Sequence, residues 1–169
     1  DRIAADKPVN RAISGIMHTV TPEPSLVFDT ADNERVISSG NAYLIFGSDR
    51  PGTKASGFGA QGTPSSTIDL VVGRMAFAYN FAADSARIYI SQLTDLDTNF
   101  GIATGKLGKE SARSGIGMKA DHVRIIGREG VKIVSGGMQG VRGYGLKGET
   151  NSQGGKLESA AKIELIAGN

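Results

Sequence analysis

Two segments of the 169-residue chain carry the Gly-x-Gly-x-x-Gly spacing with which a dinucleotide site lays backbone amides against a pyrophosphate. They are Gly57-Phe58-Gly59-Ala60-Gln61-Gly62 and Gly143-Tyr144-Gly145-Leu146-Lys147-Gly148. That chemistry needs a strand before the motif and a helix after it, with the helix N-terminus facing the phosphates. Neither match is followed by a helical apolar period, and both lie in glycine-rich stretches. No nucleotide site is assigned to either. Asp95-Leu96-Asp97-Thr98-Asn99-Phe100-Gly101 alternates oxygen-bearing side chains as the first half of a calcium loop does. Its glycine comes one place late, and Lys106 occupies the twelfth position, where an EF-hand loop places a bidentate Glu. Asp and Asn are also ordinary turn residues, so a polar turn is the adopted reading and a structural Ca²⁺ its rival.

His18 and His122 are the only histidines, and there is no cysteine, so a His- or Cys-based metal or nucleophile site has little to build from. His122 is read as a surface or subunit-contact residue. No Gly-x-Ser-x-Gly elbow occurs. Acid–base chemistry by paired carboxylates depends on a spacing that only the folded chain shows. Asp69, Asp84, Asp95, Asp97 and Glu129 are the candidates, and each is read as lying on a solvated strand face. The chain is therefore read as a non-enzyme, with no catalytic, cofactor-binding or metal-ligating residue.

The elements that would position such residues are short strands with period-2 alternation. Ser25–Phe28 and Arg35–Ser38 flank a polar stretch and read as a hairpin. Asn41–Phe46 comes next, then Thr67–Val72 with Ile68, Leu70 and Val72 on one face. Met75–Phe81 is apolar and reads as a further strand. Ser85–Gln92 alternates cleanly, with Ala86, Ile88 and Ile90 facing one way and Arg87, Tyr89 and Ser91 the other. Leu93–Asn99 reads as a polar turn, and residues 101–114 as a linker or excursion. In Gly115–Gly136, GIGMKADHVRIIGREGVKIVSG, Val123 and Ile125 are repeated eight residues later by Val131 and Ile133. Ala161, Ile163, Leu165 and Ala167 form a last alternating run. The row Ile116, Met118, Val123, Ile125, Val131, Ile133, Ile163 and Leu165 is expected to form the core of the C-terminal half. Residues 48–66 and 136–160 read as long Gly-rich loops.

Composition agrees with this layout. The chain has 24 glycines, about twice the usual share, placed as punctuation between apolar runs. The expected fold is all-β: short strands with Gly turns, as a sandwich or barrel or as a β-helix or β-prism. Pro8, Pro22 and Pro24 make residues 1–24 an extended arm, with a β-rich domain over 25–169 divided into halves 25–110 and 111–169. The 19 basic and 17 acidic residues leave a net charge of +2. Arg2, Lys7, Arg50, Arg74, Lys106, Arg124, Arg142 and Lys162 are scattered and read as solvated charge, so no nucleic-acid partner is expected. No apolar run approaches about 20 residues, so no membrane helix is expected. The start, DRIAADKPVN, has no signal-peptide apolar core, and Asp1 in place of Met points to processing or an upstream segment.

The segments ADHVRIIGREGVKIVSG and AKIELIAGN resemble the strand-and-turn repeats of tailed-bacteriophage virion proteins, in style closest to spikes, baseplates and the tips of contractile secretion systems. SARIYISQLTDLD with GIGMKADHVRII is similar to other phage virion structural proteins, so the resemblance covers about residues 85–169. It implies intertwined trimeric β-helices or β-prisms, although residues 136–160 interrupt the eight-residue spacing. The role it implies is a structural virion component of tail, baseplate or capsid surface. Its expected partners are other virion proteins and copies of itself, a trimer being the expected order. A unit with two to four inward side chains buries too little alone, which points the same way. The rival is a receptor- or carbohydrate-binding tailspike. Exposed aromatics and paired acids serve sugar binding, and the chain offers only Tyr43, Tyr79, Tyr89 and Tyr144, with no Trp.

Overall fold

Five runs rich in β-branched and aliphatic residues form the sheet. In a computed structural model, which describes residues 30–50, 65–75, 79–136, 144, 148–159 and 161–168, they are β1 (Arg35–Ser39), β2 (Ala42–Ser48), β3 (Ser66–Val72), β4 (Ala86–Thr94) and β5 (Arg113–Lys119). The strands lie in sequence order and every neighbouring pair is antiparallel. The fold of the described residues is thus β-dominated, a sheet with two open edges at β1 and β5 rather than a closed barrel. A single helical turn, α1 (Leu96–Phe100), is the one helix among the described residues. Gly101 ends it in a left-handed conformation at φ 65°, as helix C-termini favour.

Local chemistry sets the connections. Ser39 and Ala42 are paired, so Gly40 and Asn41 alone turn the chain from β1 to β2, and Gly40 takes a φ of 54°. Asn41 then anchors the far end of β3. Its side-chain oxygen accepts from Arg74 N at 3.0 Å and its Nδ2 donates to Arg74 O at 3.2 Å. Gly73, at φ 69°, begins an excursion that rejoins the sheet where Ser85 N donates to Gly73 O.

Several sequence expectations change here. Arg35–Ser38 does form a strand, but it pairs with β2; Ser25–Phe28, its expected hairpin partner, lies outside the described residues. Of Met75–Phe81, the described residues Met75 and 79–81 belong to the excursion and not to a strand, and the rings of Tyr79 and Phe81 turn onto Tyr89 of the sheet. Leu93 and Thr94 extend β4, and the expected polar turn after them is α1. Residues 121–136 and 161–168 contain no strand at all. A β-ladder needs a partner for its backbone groups, and among the described residues this stretch finds none. Its inward row is correspondingly no core: Ile125 is 64% exposed, Ile133 72% and Leu165 94%. Within the second expected loop, Thr150 and Lys156 close a small antiparallel turn, and Arg113 Nη1 donates to Gln153 Oε1 at 2.9 Å to hold it beside β5. The 1–24 arm and most of 48–66 lie outside the described residues, as do both Gly-x-Gly-x-x-Gly motifs apart from Tyr144 and Gly148.

Candidate assembly surface

Period 2 gives the sheet two faces of opposite character, and the polar one is buried. The described residues of the excursion, Arg74, Met75 and 79–85, lie with Asp49 and α1 over the face that carries Tyr43, Ile45, Thr67, Asp69, Val71, Arg87, Tyr89 and Ser91. Arg87 organises this layer. Its Nε donates to Asp69 Oδ1 at 2.9 Å, and its Nη2 forms an ion pair with Asp84 Oδ2 at 2.9 Å. The guanidinium also lies over the Phe81 ring, 4.3 Å from its centre. Asp84 is fixed in turn by Met75 N, which donates to Oδ1 at 3.0 Å. Asp49 accepts hydrogen bonds from the Tyr89 hydroxyl and from Thr94 Oγ1. Glu34 accepts from Ala31 N at 2.9 Å and from Arg50 at 3.3 Å.

These groups contradict the expectation of solvated faces. Asp69, Asp84 and Asp95 are buried, as is Arg74; Glu129 is exposed and Asp97 partly so. Burial pushes the Asp69 carboxyl up from 3.8 to about 6, with Arg87 limiting the rise. Burial likewise lowers Arg74 below the usual arginine value, against the pull of Asp84. The Tyr89 phenol is raised by burial and by its bond to Asp49, and that of Tyr79 by burial and the charge of Asp69. A general base must reach the proton it takes. Asp69 is 0% exposed beneath the excursion, so this layer is arranged as a cross-braced interior.

The calcium-like run is used for backbone capping. Asp95 Oδ1 accepts from Ala112 N at 2.7 Å, Asp97 Oδ2 from Glu110 N at 3.1 Å, and Asn99 Nδ2 donates to Thr94 Oγ1 at 2.9 Å. Among the described residues no group of three or more His, Asp or Glu side chains is placed to hold a metal. His122 is exposed, and His18 lies outside the described residues.

The opposite face is apolar and open. Strand register aligns Ile37, Leu44, Leu70, Ile88 and Met118 in one row across all five strands. A second row holds Phe46, Ile68, Ile90 and Ile116. Alternation in the sequence puts Ile68 with Leu70 and Ile88 with Ile90 on shared faces and makes Ile116 and Met118 inward, yet the residues of the two rows are between 36% and 66% exposed apart from Leu44, which is partly buried. One end of the face is a groove of about 630 Å³, walled by Leu70, Val72 and Ile88 and by Met118, His122 and Val123, where the chain leaves β5. Beyond it, Ile125, Ile126, Val131, Ile133 and Val134 are all more than half exposed. In the second tail segment Glu164 accepts from Lys106 N at 2.7 Å and Leu107 N at 2.9 Å, and these two donors hold its carboxyl below the usual range. Exposed apolar patches on folded proteins are characteristic of interaction faces. Among the described residues no helix is long and apolar enough to cross a membrane. No protein-family model, curated protein or solved structure matches the chain.

Proposed function

We propose that the chain is a non-enzymatic assembly subunit: a structural component of a tailed-bacteriophage virion that joins copies of itself and other virion proteins. The virion part rests on the sequence resemblance of residues 85–169. The assembly part rests on one observation: the apolar side chains of residues 123–134 stand exposed, with no strand to pair with among the described residues. A chain that leaves Ile126 85% exposed gains the missing burial by association. In the assembly, residues 121–134 and 161–167 pair between chains as a β-prism or β-helix, most simply about a threefold axis. The tailspike alternative loses ground because Tyr43 and Tyr89 are buried and Tyr79 is packed against Phe81 and Tyr89.

The test is the mass in solution. Sedimentation equilibrium should give a multiple of 17.6 kDa, three chains being the expected number. Ile125→Asp should shift the protein toward single chains while its far-UV circular dichroism keeps the sheet signal. A wild-type chain that stays monomeric at every concentration sinks the assembly reading. The virion reading is tested by mass spectrometry of purified phage particles, which should contain peptides of this chain in stoichiometric amount.

A further inference from the structure

We infer that the open apolar face of the sheet is itself an interface between copies of this chain, packed against the same face of its neighbours. This rests on the assembly reading and assigns its surface. A sheet apolar on one side needs a second layer. Here the polar side already has one, in the excursion and α1, and the apolar side has none among the described residues.

Three features select a further copy as the occupant. The first is charge. The two apolar rows contain no charged side chain, and Arg35, opposite Phe46, sits only at their margin on β1. A like face therefore brings charge only at its groove end, where Lys119 and Arg124 join the lining, whereas a charged partner strands its charge against Leu70 and Ile88. The second is area. Five strands spaced about 4.8 Å apart and about six residues long outline a face of roughly 24 by 20 Å. Two such faces remove on the order of 1,000 Å² from water, the lower bound for a specific interface, before the tails add to it. The third is direction. The chain leaves β5 on this side of the sheet, since Met118, His122 and Val123 wall the groove on the apolar face. Copies gathered by their tails therefore bring these faces toward a common axis.

The chain has no cysteine, so single cysteines can report on each side of the sheet. Ile88→Cys lies in the apolar row, and Ala82→Cys lies exposed on the opposite side. With a maleimide probe, Ile88→Cys should react at least about tenfold more slowly in the oligomer than after dilution to single chains, as expected for a core interface position. Ala82→Cys should react equally in both. In parallel, Leu70→Lys combined with Ile88→Lys should raise the dissociation constant at least about a hundredfold with an unchanged circular dichroism spectrum, and Leu70→Met should leave it near wild type. Protection of Ile88→Cys that does not change on dilution means that the same chain covers the face, and overturns the proposal. Full reactivity of Ile88→Cys within an intact oligomer also overturns it, leaving the face to another protein or a lipid surface. If Ile125→Asp dissociates the oligomer while the Leu70→Lys and Ile88→Lys pair does not, this inference fails and the assembly reading stands. A wild-type chain that never associates removes both.

Discussion

Asp69 on β3 and Arg87 on β4 are diagonal neighbours on the buried side of the sheet, and Arg87 Nε donates to Asp69 Oδ1 at 2.9 Å with both side chains essentially fully enclosed. Arg87 also serves Asp84, so one guanidinium neutralises two buried carboxylates, one on a strand and one on the excursion that covers it.

That sharing makes the two partners unequal. Arg87→Ala strands both acids and should destabilise the chain by about 3–5 kcal/mol. Asp69→Ala leaves Arg87 its contact with Asp84 and should cost clearly less. Urea unfolding of the single and double variants tests this. The pair should also be coupled by at least about 1 kcal/mol in the double-mutant cycle, and additive effects would show that the contact does not tie the layer together.

The pH dependence arises from the same carboxyl. Asp69 holds its proton more tightly when folded, with its pKa near 6 against 3.8 in the ordinary state. The folded form therefore gains stability from this group below about pH 3.8 and loses it as pH rises through about 6. The full effect is about 3 kcal/mol, from about two units at 1.4 kcal/mol each. Thermal midpoints of wild type and Asp69→Asn, measured from about pH 4 to about pH 8, should differ by a curve that falls over this window. A flat difference would mean that the carboxyl is not desolvated.

Gly117 lets α1 sit directly on β5. A Cβ there would lie 2.5 Å from Phe100 Cε2 and 3.1 Å from Leu96 Cδ1, and the Phe100 ring is itself packed on Phe81 with centres 5.0 Å apart. Gly117→Val should cost about 1–3 kcal/mol by overpacking, read as a lower thermal midpoint. Gly108→Ala, where nothing lies within 4 Å but φ is 82°, isolates the cost of backbone strain alone.

Lys119 closes the excursion. Its Nζ donates to the carbonyl oxygens of Phe81, Ala82 and Asp84 at 2.7, 2.6 and 3.1 Å. Lys119→Met keeps the aliphatic stem and removes the three bonds. It should cost about 1–3 kcal/mol and raise amide exchange at residues 81–85 more than in β2. Uniform acceleration across the sheet would assign Lys119 a global role instead.

Alternation in the sequence placed four of the five strands with small shifts at their ends, and it paired Ile88 with Ile90 and Arg87 with Tyr89 on opposite faces. The start of β5 was legible only from Ile116 onward, because Arg113, Ser114 and Gly115 carry no apolar signal. α1 was illegible because five residues show no helical period, and its Asp95, Asp97 and Asn99 are also turn formers. Period 2 divides side chains between two faces, but which face is covered depends on segments distant in sequence. Tyr79, Phe81 and Asp84 bring their rings and charge to Arg87, and that contact buries the polar side and turns the Leu70–Ile88 side outward. The candidate surface was thus present in the sequence as residues and invisible as a surface. The same limit explains the tail: Val123, Ile125, Val131 and Ile133 have the pattern of strands, but a strand is completed by its neighbour's backbone, and residues 121–136 have no strand partner among the described residues. Alternation, two-faced strands and glycine turns are local properties and can be read along the chain; which face becomes interior is not local, because contacts between residues far apart, such as Phe81 and Asp84 with Arg87, make that choice.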